Sequence, residues 1–193
     1  PPVSLPNEEN LELHNTTAFP VRLDNWTITT GATTRTIPYC IIPADSFIIM
    51  TSTTAAPFFV GLNVCGVTSF SSLTNTGSTI TIRKPDGTLM HSISYDDTWY
   101  NNNAKALGGW SLEQIDPNNP CGSAQNWSAS NAPSGGTPGY RNSIRASNAD
   151  SLLPRVLRVT VITADSIGVW FSEPMDSLTL VSALTYFVDN IIG

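Results

Sequence analysis

Apolar residues recur at every second position along several short segments of this 193-residue chain. A period of two indicates a half-buried strand, whereas an amphipathic helix repeats about every 3.6 residues. Single polar residues separate the apolar members of three pairs: Leu11 and Leu13, Val21 and Leu23, and Ile80 and Ile82. Gly, Pro, Asn or Asp bounds these segments, so the strands are short and favour a sandwich or barrel. The chain is therefore predicted to be all-β.

The clearest hairpin surrounds Pro85, Asp86 and Gly87. Proline presets the φ angle of a turn, aspartate caps the turn, and glycine accepts the positive φ that closes it. We therefore expect residues 78–84 and 88–95 to pair as antiparallel strands.

Charge is sparse and mostly negative. Charged residues make up 12% of the chain, where about 25% is usual, and the net charge is −6. Binding to nucleic acid requires several Lys or Arg on one face, and here nine basic residues are scattered without a basic run. The sequence contains no run of 18 or more apolar residues, the length that would predict a membrane-spanning helix. We expect no nucleic-acid partner and no transmembrane segment.

Three cysteines, Cys40, Cys65 and Cys121, leave two interpretations open. An odd count allows one disulfide and one free thiol, and we predict that such a bond joins Cys40 to Cys121 in an oxidising compartment. The alternative is three small buried thiols.

Five segments in order resemble the bacterial lamin-tail domain, over about residues 8–143. They are LELHNTTAFPVRLDNWTI at 11–28, IIPADSFIIMTS at 41–52, LTNTGSTITI at 73–82, SLEQIDPNNPCGSAQNW at 111–127 and SGGTPGYRNS at 134–143. The resemblance implies an immunoglobulin-like β-sandwich from secreted or surface multidomain proteins. Residues 111–142 would form its last strand and its closing segment.

The beginning of the chain departs from that family pattern. Family members usually have an Ile-Asn-Glu-Ile-like strand before the first segment, whereas this sequence opens with PPVSLPNEEN. We therefore expect that the first strand is missing from a domain spanning 1–143, and that the chain is a piece of a longer protein.

A second β module is predicted after a linker at 144–153. The pattern from 154 to 193 indicates a hairpin and a third strand, and FSEPMD resembles the opening of a bacterial immunoglobulin-like module. About 40 residues are too few to bury a core, so we expect an incomplete module with exposed apolar faces. The alternative is a tail that docks on the first domain.

Tryptophans and tyrosines supply the candidate core and binding residues. Trp26 and Trp127 are interpreted as structural core anchors, since each buried tryptophan removes some 150–250 Å² from water. A possible ligand patch, suited to glycan stacking, consists of Tyr95, Trp99, Tyr100 and Trp110.

Catalytic and metal-binding patterns are weak. His14 and His91 each stand alone, and no nucleophile elbow is present. Glu12 and Glu113 alternate with strand residues, so both are expected to face solvent or an edge. The acidic turns at 96–97 and 116–119 match ordinary turn chemistry better than a calcium loop. We expect no catalysis, no cofactor and no metal.

The resulting hypothesis is a non-catalytic structural, adhesion or spacer module of a larger secreted or cell-surface bacterial protein. Its partners would be other domains of the same chain, with a surface glycan or protein as a further candidate. Three Asp-Ser-aliphatic triplets, at 150–152, 165–167 and 176–178, resemble an O-glycosylation site of exported Bacteroidota proteins. The alternative is a glycan-binding accessory module of an extracellular hydrolase.

Overall fold

A computed structural model describes residues 4–120, 122–151, 153–172 and 175. The chain divides into two compact units, at 1–149 and 150–193. Strands arranged in several sheets dominate, so the fold is all-β, as the alternation predicts. No helix in the described part of the chain is long and apolar enough to cross a membrane.

The first unit contains eleven short strands among its described residues. They are β1 (Asn10–Asn15), β2 (Val21–Arg22), β3 (Thr27–Thr30), β4 (Thr33–Thr36), β5 (Ile41–Ile42), β6 (Ser46–Ser52), β7 (Val64–Val67), β8 (Gly77–Arg83), β9 (Leu89–Asp96), β10 (Leu112–Gln114) and β11 (Trp127–Ala129). A four-residue helix, α1 (Asn103–Ala106), and three 3-10 turns, at Ala56–Phe58, Asp97–Tyr100 and Ala124–Asn126, complete the elements.

Two larger sheets organise this unit. One has the strand order β1-β6-β7 and the other β4-β3-β8-β9, while β2–β5 and β10–β11 form two-stranded pairs. The pairing of β6 with β7 is parallel, and the other pairings in the unit are antiparallel. The arrangement is compatible with an immunoglobulin-like sandwich.

The apolar core joins residues from both larger sheets. Its buried members are Leu23, Ile28, Ile37, Ile42, Ile48, Met50, Cys65, Val67, Ile80 and Ile82. The register explains how β1 contributes: Leu11 lies opposite Met50 and Leu13 opposite Ile48, so both leucines face this core. The alternation in the sequence therefore identifies the inner face of β1 correctly.

The predicted hairpin forms with the predicted turn. The amide of Lys84 donates to the carbonyl of Thr88 at 2.9 Å, and the amide of Thr88 donates to the Asp86 carboxylate at 2.8 Å. Gly87 has a φ of 85°, a conformation that a side chain would disfavour. β8 and β9 pair antiparallel with one bulge near Arg83.

Strand β6 is buried on both of its faces. Ile48 and Met50 face the apolar core, whereas Ile49 and Thr51 point to the opposite side and are equally inaccessible. Glu12 lies opposite Ile49 on that second side. A further layer must therefore cover this face of the sheet.

Residues 111–148, which we call the closing wrap, supply contacts to that second side. The amide of Gly139 donates to the carboxylate of Glu12. Residues 144–149, the first part of the segment predicted as a linker, belong to this unit: the amide of Ala146 donates to the carbonyl of Ile115 at 3.1 Å and that of Asn148 to Asp116 at 2.9 Å.

The second unit contains one described hairpin, of β12 (Val156–Thr163) and β13 (Ser166–Phe171). Large apolar side chains on it are exposed, among them Leu157, Val161 and Trp170. The third strand predicted after this hairpin lies outside the described residues.

Candidate functional site

The cysteines correct one prediction. A disulfide joins Cys40 to Cys65, with their Cα atoms 5.9 Å apart, so the predicted bond between Cys40 and Cys121 is wrong. Cys40 directly precedes β5 and Cys65 lies in β7, and both pack in or against the apolar core. Cys121 lies outside the described residues.

Trp99 anchors the aromatic residues at the exit of the β8–β9 hairpin. It sits in the Asp97–Tyr100 turn, which begins where the Asp96 carboxylate accepts the amide of Thr98 at 2.8 Å. Trp99 is only 8% exposed, and its ring centroid lies 6.4 Å from that of Trp127. The two indoles therefore pack on each other.

The ammonium group of Lys105 covers one face of the Trp110 ring. The ammonium nitrogen of Lys105 lies 4.3 Å from the centre of the Trp110 ring and also donates to the carbonyl of Ser130 and to Oδ1 of Asn131. The α1 helix holds this lysine, because the Asn102 side chain caps its first turn. A sugar could stack on that face of Trp110 only by displacing Lys105.

The two tyrosines of the predicted ligand patch have their hydroxyl groups engaged. Tyr95 donates to the carbonyl of Thr74 at 3.0 Å and packs against the apolar core, whereas Tyr100 donates to the carbonyl of Trp110 at 3.2 Å. Burial raises the pKa of both phenols. The patch residues are therefore linked to their own unit by specific contacts.

The two predicted anchors, Trp26 and Trp127, are both half-buried. Trp26 packs against the apolar core, and its carbonyl accepts the amide of Ile37 at 2.8 Å. Trp127 begins β11, and its carbonyl accepts from the Asn101 side chain at 3.2 Å. One indole thus lies at the core and the other in the closing wrap.

Glu12 and Glu113 both hydrogen-bond to residues 137–143. Each lies on an edge strand, β1 or β10, as one of the two predicted alternatives has it, but Glu113 does not face solvent. Glu113 is 4% exposed and accepts from Thr137 Oγ1 at 2.9 Å and from the amide and hydroxyl of Ser143 at 2.8 and 2.7 Å. Glu12 accepts the amide of Gly139. We call Glu12, Glu113 and residues 137–143 the carboxylate clasp.

Burial raises the pKa of Glu12 to about 7. The amide of Gly139 opposes that rise, and the negative charge of Glu113 adds to it. A carboxyl group that is half protonated at neutral pH can serve as a general acid or base. Here, however, both carboxylates accept hydrogen bonds from residues 137–143, so their contacts stabilise the position of that segment.

Asn126 organises the other end of the closing wrap and was missed in the sequence. Its side chain is fully buried, accepts the amide of Asp116 at 2.9 Å, and donates to the carbonyls of Asp116 and Asn119, each at 2.7 Å. Asn148 donates to its oxygen at 3.1 Å. The one available signal was the density of Asn and Asp at 116–126, which fits ordinary turns equally well.

Within residues 4–120, 122–151, 153–172 and 175, no three His, Cys, Asp or Glu side chains gather as they would around a metal ion. An open groove of about 420 Å³ runs beside the closing wrap, and its apolar side chains include Val60, Leu62 and Tyr140. Neither Glu12 nor Glu113 lines this groove.

Comparison with protein-family models gave no match for this chain, and comparison with curated proteins gave none either.

Proposed function

We propose that residues 1–149 are a non-catalytic module of the lamin-tail type, which serves as a spacer or adhesion unit in a larger secreted or surface-anchored bacterial protein. The carboxylate clasp is the observation that carries this proposal. Its buried acids hydrogen-bond to chain that is distant in sequence, and such bonds stabilise a fold. The groups that first invite a catalytic interpretation therefore have structural partners.

The environment of the aromatic residues supports the same proposal over the glycan-binding alternative. Glycan platforms present exposed rings, whereas Trp99 is buried and Trp110 lies under the ammonium group of Lys105. Both indoles have contacts that account for their positions without a ligand.

Export is supported by the bond between Cys40 and Cys65. Disulfides persist in oxidising compartments and are rare in the cytosol. In protein recovered from its native compartment, peptide mapping without reductant should link Cys40 to Cys65 and leave Cys121 as a single free thiol. Three free thiols in that material would remove the support for an exported protein.

The structural role is tested on a glycan array with the full chain and with Trp110→Ala. We expect no glycan binding that depends on the Trp110 ring. Trp170→Ala in the second unit is the matched control, because it removes the same side chain from the exposed hairpin. Binding that Trp110→Ala abolishes and Trp170→Ala preserves, with unchanged circular dichroism, would replace the spacer role with glycan recognition.

A further inference from the structure

A second pocket lies at the end of the closing wrap. It has a volume of about 210 Å³ and is lined mainly by polar residues: Asp116, Asn118, Arg141, Arg145, Ala146 and Ser147. We propose that this site, the arginine pocket, binds a singly charged oxyanion such as a carboxylate or a sulfate ester. This binding proposal does not rest on the proposed spacer role and goes beyond it.

Both guanidinium groups are available to a ligand. In the part of the chain that the structure describes, Arg141 and Arg145 form no ion pair and no side-chain hydrogen bond. Other arginines are engaged: Arg22 pairs with Asp24, and Arg35 donates to the carbonyl of Ser69 at 2.7 Å. In a chain with fifteen acidic and nine basic residues, these two arginines, with neither a salt bridge nor a side-chain hydrogen bond among the described residues, outweigh Asp116 and make the pocket a local positive site.

The backbone that carries the arginines is held in place before any ligand arrives. The Asn142 side chain donates to the carbonyl of Gln114 at 2.9 Å, and the amide of Arg145 donates to the carbonyl of Asn142 at 3.1 Å. The amide of Ala146 bonds to Ile115 on the other side. Binding therefore does not require ordering of this backbone, which removes a major entropic cost.

Asp116 sets the charge that the pocket accepts. Its carboxylate accepts the amides of Asn118 and Asn148, each at 2.9 Å, and these bonds, with the positive charge of Arg145, hold its pKa below the usual range. It therefore stays negative beside the arginines. A singly charged oxyanion would neutralise the one net positive charge of Arg141, Arg145 and Asp116, whereas a doubly charged ion would leave the pocket with a net negative charge.

The remaining lining fits that chemistry. A guanidinium group presents paired donors that match the two oxygens of a carboxylate or of a sulfate ester. The hydroxyl of Ser147 and the side-chain amide of Asn118 can donate to further oxygens. The field of Arg145 also extends to β1: burial lowers the pKa of His14, and the charge of Arg145 contributes to that lowering.

The test is a titration of the 15N-labelled full chain with acetate and with methyl sulfate at constant ionic strength. We expect saturable shifts of the Ala146 and Asn148 amides. Loss of hydrogen bonds to a charged group should weaken binding about tenfold or more in Arg141→Gln/Arg145→Gln. Arg83→Gln/Arg155→Gln removes the same charge elsewhere and should bind like the wild type.

Three results would overturn the site: equal affinity in wild type and Arg141→Gln/Arg145→Gln, equal loss in the control pair, or shifts that do not saturate. Arg141→Gln alone, at an exposed position, keeps the test valid if the double variant does not fold. Retention on immobilised polygalacturonate and dextran sulfate then distinguishes sources. If the protein binds either polymer more tightly than it binds acetate or methyl sulfate, and if this binding requires both arginines, the natural ligand is an anionic group carried on a polymer. If each charged group of the polymer binds no more tightly than the small anion, the ligand is a free anion.

Discussion

The apolar core and the closing wrap are held by opposite kinds of contact. The core consists of aliphatic side chains from two sheets, such as Ile28, Ile48 and Ile82, with a disulfide beside them. In the closing wrap, polar side chains such as Glu113 and Asn126 are as inaccessible as those isoleucines. Burial there depends on hydrogen bonds with defined partners.

The difference predicts how each region fails. An apolar core loses stability in proportion to the volume removed, because surrounding atoms lose contacts. A buried polar network loses stability when one partner disappears and leaves the others without a hydrogen bond. The core should therefore govern global unfolding, while damage to the closing wrap should appear first as local opening.

The largest expected effect belongs to the core. Ile48→Ala should destabilise the first unit by about 2–5 kcal/mol, because it leaves a cavity between the two larger sheets. Denaturant unfolding monitored by tryptophan fluorescence measures the loss. Val60→Ala is the control, since Val60 is 86% exposed, and it should change stability by less than about 0.5 kcal/mol. Similar losses in the two variants would show that the core is not where the unit is stabilised.

Removal of the Asn126 side chain should lower the free energy of unfolding by less than Ile48→Ala does, and its effect should be local to the closing wrap. Asn126→Ala leaves the amide of Asp116 and two carbonyl groups without their partner, for an expected loss of about 2–3 kcal/mol. Hydrogen exchange should accelerate at Asp116 and Asn148 before it changes at Ile48. Gln125→Ala, at the exposed neighbouring position, should leave exchange unchanged. Equal acceleration at Ile48 would mean that the wrap and the core open together.

The carboxylate clasp should make stability depend on pH. Glu12 has a pKa of about 7 in the folded state, against 4.5 for an ordinary glutamate side chain, so the unfolded state releases its proton first as pH rises. Stability should fall between about pH 4.5 and 7, by about 2–3 kcal/mol from this group. Glu12→Gln cannot ionise and should remove that part of the fall.

The difference between the wild type and Glu12→Gln, followed by thermal unfolding, should be near zero at pH 4 and reach its full size above pH 7. Glu8→Gln removes an exposed carboxylate a few residues earlier and serves as the control. A variant that is less stable than the wild type at pH 8 would contradict a clasp in which burial penalises the charge.

The smallest expected effect concerns the cation over Trp110. Lys105→Met keeps an unbranched side chain but removes the ammonium group, so the closing wrap should lose about 1 kcal/mol. The Trp110 ring should also become more accessible to a neutral quencher, which would increase the quenching of tryptophan fluorescence. Lys84→Met on the β8–β9 turn is the matched control. If both variants keep wild-type stability and quenching, the cation does not cover the ring in solution.

Local patterns predict the strands and the hairpin because the information lies within a few residues. Alternation assigns Leu11 and Leu13 to the inner face of β1, and the Pro-Asp-Gly order positions the turn at Gly87. The same alternation assigns Glu12 to the outer face correctly, but it cannot indicate that residues near Gly139 return to cover that face.

Contacts between distant residues explain the remaining errors. Cys40 has two possible partners in the sequence, and the choice of Cys65 depends on where β7 lies beside β6. The cation over Trp110 likewise depends on a short helix placed by its Asn102 cap. Neither distance can be obtained from spacing along the chain.

The sequence by itself determined that this chain forms short strands, several of them with one apolar side, because side chains alternate between the two faces of an extended backbone. Only the tertiary structure decided that the second side of the β1–β6 pair is also covered, with Glu12 bonded to Gly139 of the closing wrap and Ile49 fully buried. A period of two distinguishes the faces of a strand. It carries no information about which distant segment packs on each face, since that depends on where the whole chain returns.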